Sequence, residues 1–244
     1  MITKKYRFAD KVVEVTSIYG RVHEYCRDYE TDRPADFSVE IMPEDIINEK
    51  KKSDSEFTYE GLPAPDFSDD LLEETAVYRK VAEKMPSYGA FVFHGSVIAV
   101  DGEGYLFTAK SGTGKSTHTR LWSEYFGERA VMVNDDKPLI SVNEKGIIAY
   151  GTPYNGKHRL GNDIAVPLKA ICILERADEN RIEKIMKSSA YAMLLQQVYR
   201  PADPVGLSET LKLVDRMAEH TGLYRLGCNM DISAAETAYN GMKG

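Results

Sequence analysis

The residues with the clearest capacity for chemistry are in a glycine-containing segment, Ala-Lys-Ser-Gly-Thr-Gly-Lys-Ser-Thr, at positions 109–117. Gly112 and Gly114 let backbone N–H groups turn toward one point, because glycine adopts positive φ without a steric penalty. Lys115 would reach the β and γ phosphates of a nucleoside triphosphate such as ATP, and Ser116 would offer its hydroxyl to Mg²⁺. The predicted nucleotide-binding residues are Ser111, Gly112, Thr113, Gly114, Lys115, Ser116 and Thr117.

One position departs from the usual phosphate-loop pattern. Ala109 stands where G-x-x-x-x-G-K-[ST] requires glycine. Alanine is the smallest replacement and is tolerated there if its φ is negative. The alternative is an ordinary glycine-rich turn that carries a surface lysine. A predicted strand before the segment and a predicted helix after it favour the phosphate loop, since the motif requires that context.

An acidic pair, Asp135-Asp136, follows Lys115 by 20 residues and ends an apolar run. Ligands of open α/β sheets gather beyond the carboxyl ends of the strands, so this pair can face the same phosphates. One carboxylate could hold Mg²⁺, and the other could accept a proton from an attacking hydroxyl. The alternative interpretation is a solvated turn before Pro138.

Two further segments carry cations that could bind phosphate or substrate. The glycine- and proline-containing segment 151–159 includes Lys157, His158 and Arg159. Arginine forms paired hydrogen bonds to phosphate or carboxylate, whereas lysine acts as a point charge. A hydrated surface loop explains the segment equally well. Arg200 is a weaker candidate for the same role, because a Tyr-Arg-Pro sequence more often simply ends a helix.

The elements that must position these residues follow from the apolar runs. Two runs, 90–100 and 105–108, flank an Asp-Gly-Glu-Gly turn and predict a hairpin that leads directly into the glycine segment. Residues 119–126 can then be helical, and 130–134 form a short strand that ends at the acidic pair. This order of strand, loop, helix and strand predicts a mixed α/β sheet with the phosphate loop at one strand end.

The rest of the chain divides into an N-terminal module and a helical end. Short β-type runs at 12–18, 22–25 and 37–41 predict a small β-rich module, and the polar stretch 48–66 is interpreted as a connection. The predicted domains are therefore 1–66 and 67–244. Late helices at 188–198 and 208–220, a last strand and a terminal helix make the C-terminal part largely helical.

Composition excludes several classes of function. The net charge of -7 argues against a nucleic-acid duplex as the main partner. No apolar run approaches the roughly 20 residues that span a bilayer. The first residues lack the pattern of a secretory signal, so a cytoplasmic protein is expected. Three widely spaced cysteines suggest neither a disulfide framework nor a zinc site.

Three sequence features together resemble the HPr kinase/phosphorylase family. They are Phe-His-Gly-Ser-Val at 93–97, Ser-Gly-Thr-Gly-Lys-Ser at 111–116 and Val-Asn-Asp-Asp at 133–136. More distantly they are similar to ATP-dependent phosphoenolpyruvate carboxykinase. The resemblance covers about 91–174, and it implies the phosphate-loop mixed sheet of that superfamily.

The resemblance also implies roles for individual residues. His94 matches a family histidine near the γ phosphate that helps to position the reacting groups. Lys115 and Ser116 match the loop lysine and the magnesium-binding hydroxyl. Asp135 matches the proton acceptor, and Asp136 matches its neighbour near the metal. Without the resemblance, a histidine in an apolar strand is more often a satisfied core residue.

The chain also departs from that family, and the departures bear on the substrate. HPr kinases have a longer N-terminal domain and a further metal-binding carboxylate, whereas segment 151–159 offers no carboxylate. Neither HPr as substrate nor phosphorylase activity is therefore indicated. The chain is closer to smaller HPr-kinase-related proteins found beside genes for modified peptides. The expected acceptor is a serine hydroxyl of a peptide or protein. HPr kinases associate, and the resemblance leaves both a homo-oligomer and a monomer open.

Two alternatives belong to other functional classes. A nucleotide-dependent binding or escort protein would hold a peptide and hydrolyse ATP slowly or not at all. A carboxykinase-like lyase is the third hypothesis, and 244 residues leave little room for the larger domain that such chemistry requires.

Overall fold

The computed structural model describes residues 1–59, 61–156 and 158–243. It divides into two compact units, Met1–Lys84 and Met85–Gly244. This division lies one helix later than the one expected after residue 66, because the helix Asp69–Lys84 packs within the first unit. The division into domains 1–66 and 67–244 stays a prediction.

The first unit combines a small sheet with helices. Its elements are β1 (Ile2–Phe8), β2 (Lys11–Ser17), α1 (Arg21–Tyr25), β3 (Phe37–Glu40), α2 (Pro43–Tyr59) and α3 (Asp69–Lys84). Strand β2 lies between the other two, antiparallel to β1 and parallel to β3. Its valines at 12, 13 and 15 are fully buried. The expected N-terminal sheet is therefore present, but helices make up much of this unit.

Two predictions for this unit were wrong. The run 22–25 belongs to helix α1, and most of the expected polar connection at 48–66 belongs to helix α2. The α2 sequence is polar because the helix buries little, with Ile46 and Glu49 as its buried residues. Glu49 is paired with Arg79, whose Nη2 donates to its carboxylate at 3.0 Å. A run of lysines and acids is compatible with helix propensity, and its polarity indicated exposure rather than a loop.

The second unit contains the remaining strands and helices. The strands are β4 (Ala90–Val92), β5 (Ser96–Val100), β6 (Glu103–Thr108), β7 (Ala130–Asn134), β8 (Leu139–Asn143), β9 (Gly146–Tyr150), β10 (Ala165–Arg176), β11 (Arg181–Lys184) and β12 (Gly222–Cys228). The helices are α4 (Lys115–Phe126), α5 (Lys187–Gln196), α6 (Pro204–His220) and α7 (Ser233–Met242).

These strands form one mixed sheet with the order β4-β8-β9-β10-β6-β5-β7. The long strand β10 connects its two halves. Its first residues pair antiparallel with β9, and its later residues run parallel to β6 on one side and to β12 on the other. Strand β11 then adds antiparallel to β12. The expected mixed α/β architecture is confirmed.

Alternate side chains of the central strands enter two separate cores. In β6, Leu106 points to one core, while Tyr105 and Phe107 point to the other. Helices α5 and α6 cover the first core with residues such as Leu194 and Met217. Helices α4 and α7 cover the second, which contains Trp122. This period-two alternation is expected for a sheet covered on both faces, and it fixes α4 against the strand that precedes it.

The apolar run expected at 90–100 is interrupted in the structure. It forms two strands, β4 and β5, which separate at His94 and Gly95: β4 pairs with β8, whereas β5 pairs with β6 and β7. A Cβ atom at Gly95 would lie 2.9 Å from the carbonyl oxygen of Phe107, so the chain passes too close there for a larger residue. The β5–β6 hairpin is present as expected, and the interruption places His94 at a strand end.

Candidate functional site

The predicted phosphate loop (residues 109–116), called the phosphate loop below, runs from the end of β6 into the first turn of α4. Gly112 has φ of 74° and Gly114 has φ of 118°, in the region that favours glycine. No side chain of the described residues caps α4 at Gly114. The first amides of a helix have no partner within the helix, so those of α4 are left to bind an anion.

Ala109 occupies the first position of this loop and is completely buried. It packs in the same core as Phe107 and Trp122. The described non-glycine residues with positive φ are Ala9, Asp101 and Arg159, so Ala109 is not among them. Its backbone therefore has no need of glycine, and its methyl group contributes to the core under the loop.

An asparagine turn sets the direction of the acidic pair. The Asn134 side-chain oxygen accepts hydrogen bonds from the backbone N–H groups of Asp136 at 2.9 Å and Lys137 at 2.7 Å. Its amide nitrogen donates to Thr152 Oγ1 at 3.0 Å. The Gly95 N–H donates to the Asp136 carbonyl at 2.9 Å. The pair thus leaves β7 in a fixed turn, held by residues from two other segments.

Asp135 is the buried member of the pair. Its side chain is close to α4, and the Thr119 hydroxyl lies 3.5 Å from its Oδ1. Burial raises the pKa of the Asp135 carboxyl, against the effect of hydrogen bonds from Ser96 and Ser116, and the nearby Asp136 raises it further. A carboxylate with a raised pKa is a stronger base than an ordinary aspartate. It lies beside the helix that begins at Lys115.

Lys115 and His94 lie with the acidic pair in one cleft. Burial lowers the pKa of Lys115, although Asp136 and Asp135 oppose that change. Burial and the neighbouring Lys115 lower the pKa of His94, whose Nε2 is 3.5 Å from Asp136 Oδ1. A lysine whose charge is disfavoured by desolvation would be stabilised by an anionic ligand.

This charged cleft has a volume of about 460 Å³. The residues that line it are His94, Gly112, Gly114, Lys115, Ser116, Thr117, Asp135, Asp136, Gly156 and His158. The structure therefore brings the loop, the acidic pair and His94 together, as the sequence predicted. Their roles in binding and catalysis remain predictions.

The oxygen donors in the charged cleft suit a hard cation. Within the described ranges, no group of three or more His, Cys, Asp or Glu side chains could hold a metal ion. The Ser116 hydroxyl lowers the pKa of the Asp135 carboxyl against the effect of burial, and Ser116 and Asp136 both line this cleft. Mg²⁺ commonly uses one or two protein oxygens and takes its other ligands from phosphates and water. The donor set fits a magnesium–nucleotide complex better than a metal bound by protein alone.

The cations of segment 151–159 have different positions. Gly156 and His158 line the charged cleft. Lys157 lies outside the described residues. Arg159 is exposed with φ of 50°, and neither it nor the exposed Arg200 is among the described residues that line the cleft. Binding of phosphate or substrate by Arg159 and Arg200 stays a prediction.

Sequence reasoning did not assign roles to the residues that support the acidic pair. Thr152 is buried, accepts from Asn134 and donates from Oγ1 to the Lys137 carbonyl at 2.9 Å. The signal for Asn134 was present, because an asparagine followed by two polar residues commonly forms such a turn. Thr152 had no such signal, since its partner is 18 residues away in the chain.

A second cleft, of about 500 Å³, also lies beside the start of α4. It shares Gly112, Gly114 and Thr117 with the charged cleft. Its other walls come from α4 and from the ends of β10 and β12, and they include Leu121, Leu174, Ala177, Cys228 and Met230. We call it the apolar cleft.

Comparisons with known proteins give one family match. A family model described as ScmC, SynChlorMet cassette protein ScmC, matches residues 68–202, more than half of the chain. No curated protein matches. The chain is also similar to the solved structure of the Hpr(Ser) kinase/phosphatase from Coxiella burnetii, with 15% identity over 52% of this chain and 96% of that chain. The TM-score of 0.30 is too low to support an argument about function.

No helix in the described residues is both long and apolar enough to cross a membrane.

Proposed function

The chain belongs to the SynChlorMet cassette protein ScmC family, and we propose that it is a magnesium-dependent kinase that transfers the γ-phosphoryl group of ATP to a hydroxyl group. The observation that supports this most strongly is the position of Asp135. A buried carboxylate of raised pKa lies in the same cleft as Lys115 and the phosphate loop. A base beside a phosphate site is what transfer to a hydroxyl requires.

The phosphate loop and the start of α4 would bind the phosphates. Lys115, Ser116 and Thr117 at the start of α4 line the charged cleft, so their backbone N–H groups and the Lys115 ammonium would hold the β and γ phosphates. Lys115 would also balance the charge that the transferred group carries in the transition state. Bound Mg²⁺, held by Ser116 and Asp136, would supply further charge neutralisation at the phosphate oxygens.

The transfer step needs a proton acceptor. The acceptor hydroxyl oxygen forms a bond to the γ phosphorus, and the bond from that phosphorus to the bridging oxygen of the leaving diphosphate breaks. The hydroxyl proton passes to Asp135, whose raised pKa makes it a suitable acceptor. His94 is hydrogen-bonded through its backbone N–H to Gln197 at 2.6 Å and lies beside Asp136, so it would position the reacting groups.

The acceptor class rests on the sequence resemblance to HPr kinases. That resemblance points to a serine of a peptide or protein, whereas a nucleotide-dependent escort protein would bind the same partner without modifying it. Both hypotheses place ATP in the charged cleft. They differ in whether the γ-phosphoryl group moves.

Labelled ATP separates the two hypotheses. The protein would be incubated with γ-labelled ATP, Mg²⁺ and serine-containing peptides, including those encoded beside its gene. A kinase yields label on a peptide serine, as detected by mass spectrometry, and the Lys115→Ala variant yields none. Label that stays on ATP, or that appears only as inorganic phosphate, would contradict the proposed transfer.

A further inference from the structure

The apolar cleft and the charged cleft adjoin each other at the phosphate loop. Gly112, Gly114 and Thr117 line both. On the far wall, Arg176 at the end of β10 donates from Nη2 to the Gly112 carbonyl at 2.5 Å. A single ligand can therefore extend from the Lys115 side of the loop to the ends of β10 and β12.

The walls of the apolar cleft carry little net charge. Burial lowers the pKa of His118 to about 4, so its imidazole is neutral near pH 7. Its Nε2 accepts from the Trp122 indole N–H at 3.0 Å. At the rim, Glu175 is paired with Arg225 at 3.1 Å. Among the described residues that line this cleft, Arg176 is the one cation, and it lies at the loop, where it is hydrogen-bonded to the Gly112 carbonyl. Away from Arg176 a polyphosphate would gain little, whereas a flat uncharged ring would bury apolar surface.

One rim residue is unusually exposed for its type. Met230 has 80% of its surface exposed, and it lines the same cleft as the buried Leu121 and Leu174. The unbranched methionine side chain is flexible and can close over a ligand. Its thioether also makes favourable contacts with aromatic rings. Met230 follows Asn229, whose side chain donates to the Asp178 carbonyl at 2.8 Å and thereby fixes the chain just before it.

We infer that the apolar cleft binds the nucleoside part of the nucleotide, with the base between Leu121 on α4 and Met230 on the rim. This rests on the proposed function, because it requires the phosphates to lie in the charged cleft. The base-binding surface then consists of α4, β10 and the segment after β12. Met230 determines affinity for the nucleoside and has no part in binding the phosphates.

Two ligands that differ only in the nucleoside test this division. Inorganic tripolyphosphate offers phosphates alone, whereas ATP offers both parts. Isothermal titration with Mg²⁺ would compare their affinities for the unaltered protein and for Met230→Ala. We expect ATP to bind the variant about 5- to 10-fold more weakly, and tripolyphosphate to bind both proteins equally. Met186→Ala is the matched control, since Met186 is 73% exposed but does not line the cleft.

Cys228 gives an independent readout. It lines the apolar cleft and is partly exposed, whereas Cys26 and Cys172 are buried. ATP should slow alkylation of Cys228 by a maleimide, and tripolyphosphate should not. A Cys228→Ser variant identifies the labelled site.

The outcomes distinguish the two proposals. If ATP and tripolyphosphate bind equally well and neither protects Cys228, the nucleoside assignment is wrong while phosphate binding stands. If neither ligand binds, the proposed kinase function is wrong and the nucleoside assignment fails with it. An equal loss of ATP affinity in Met230→Ala and Met186→Ala would also overturn the role of Met230.

Discussion

The two clefts beside the start of α4 share three residues but offer a ligand opposite kinds of surface. The charged cleft contains Lys115, the acidic pair and the first amides of a helix. The apolar cleft contains aliphatic side chains and a histidine that burial keeps neutral. The proposals therefore give the two clefts different roles toward one nucleotide. The charged cleft would hold the reacting phosphates, and the apolar cleft would increase affinity without contacting the reacting atoms.

Replacement of Lys115 should cause the largest loss of phosphate binding and of transfer activity. Lys115→Ala removes the cation that would bind the β and γ phosphates, so ATP and tripolyphosphate should both lose affinity. We expect kcat/KM for transfer to fall about 1,000-fold or more. Lys145→Ala, in the exposed turn between β8 and β9, is the control and should behave like the unaltered protein. Full activity of Lys115→Ala would exclude the loop as the phosphate site.

Replacement of Asp135 should separate chemistry from binding. Asp135→Asn keeps the shape of the side chain but removes the proton acceptor, so kcat should fall about 100-fold or more. Nucleotide affinity, measured by titration, should stay close to that of the unaltered protein because the loop amides and Lys115 are intact. Glu144→Gln is an exposed control. Transfer at an unchanged rate in Asp135→Asn would rule out its role as the base.

A smaller effect is expected from replacing Thr152, which is hydrogen-bonded to the turn that carries the acidic pair. Thr152→Val keeps the shape of the side chain but loses the hydroxyl that joins Asn134 to the Lys137 carbonyl. The turn should loosen, and kcat should fall about tenfold with little change in KM for ATP. Thr152→Ser retains the hydroxyl and should recover most of the rate. Equal losses in the two variants would show that packing matters there rather than the hydrogen bonds.

The smallest expected effect is a shift in the pH profile of transfer. Asp135 must be deprotonated to act as a base, and its pKa is raised, so activity should fall on the acid side at higher pH than for an ordinary aspartate. The Thr119 hydroxyl stabilises the charged carboxylate. Thr119→Val should therefore move the acid limb to still higher pH without changing the maximal rate. If the acid limb of the Thr119→Val profile does not move, Asp135 is not the group whose protonation limits the rate.

The site was more predictable from sequence than the fold around it. Adjacent residues define the phosphate loop, and the conformation of Gly112 and Gly114 is a local property. Asp135 could be placed because an apolar run predicts a strand that ends at it. The positions of Thr152 and of the walls of the apolar cleft could not be predicted. The order of strands in the folded sheet brings the ends of β10 and β12 close to α4, and the sequence does not show that order.

The errors in the predicted secondary structure have a physical cause as well. Helix α2 exposes most of its surface, so its sequence shows little of the apolar periodicity that identifies a helix. The run 90–100 was interpreted as one strand because both of its halves are buried. In the folded sheet the two halves have different partner strands, and Gly95 between them passes close to Phe107.

A crystal structure with a non-hydrolysable ATP analogue and Mg²⁺ would test the central claim most directly. We predict a single nucleotide across both clefts. Its phosphates should contact Lys115 and the start of α4, its γ phosphate should face Asp135, and its base should lie between Leu121 and Met230. Phosphates bound away from the loop, or a base that points away from Met230, would contradict the account.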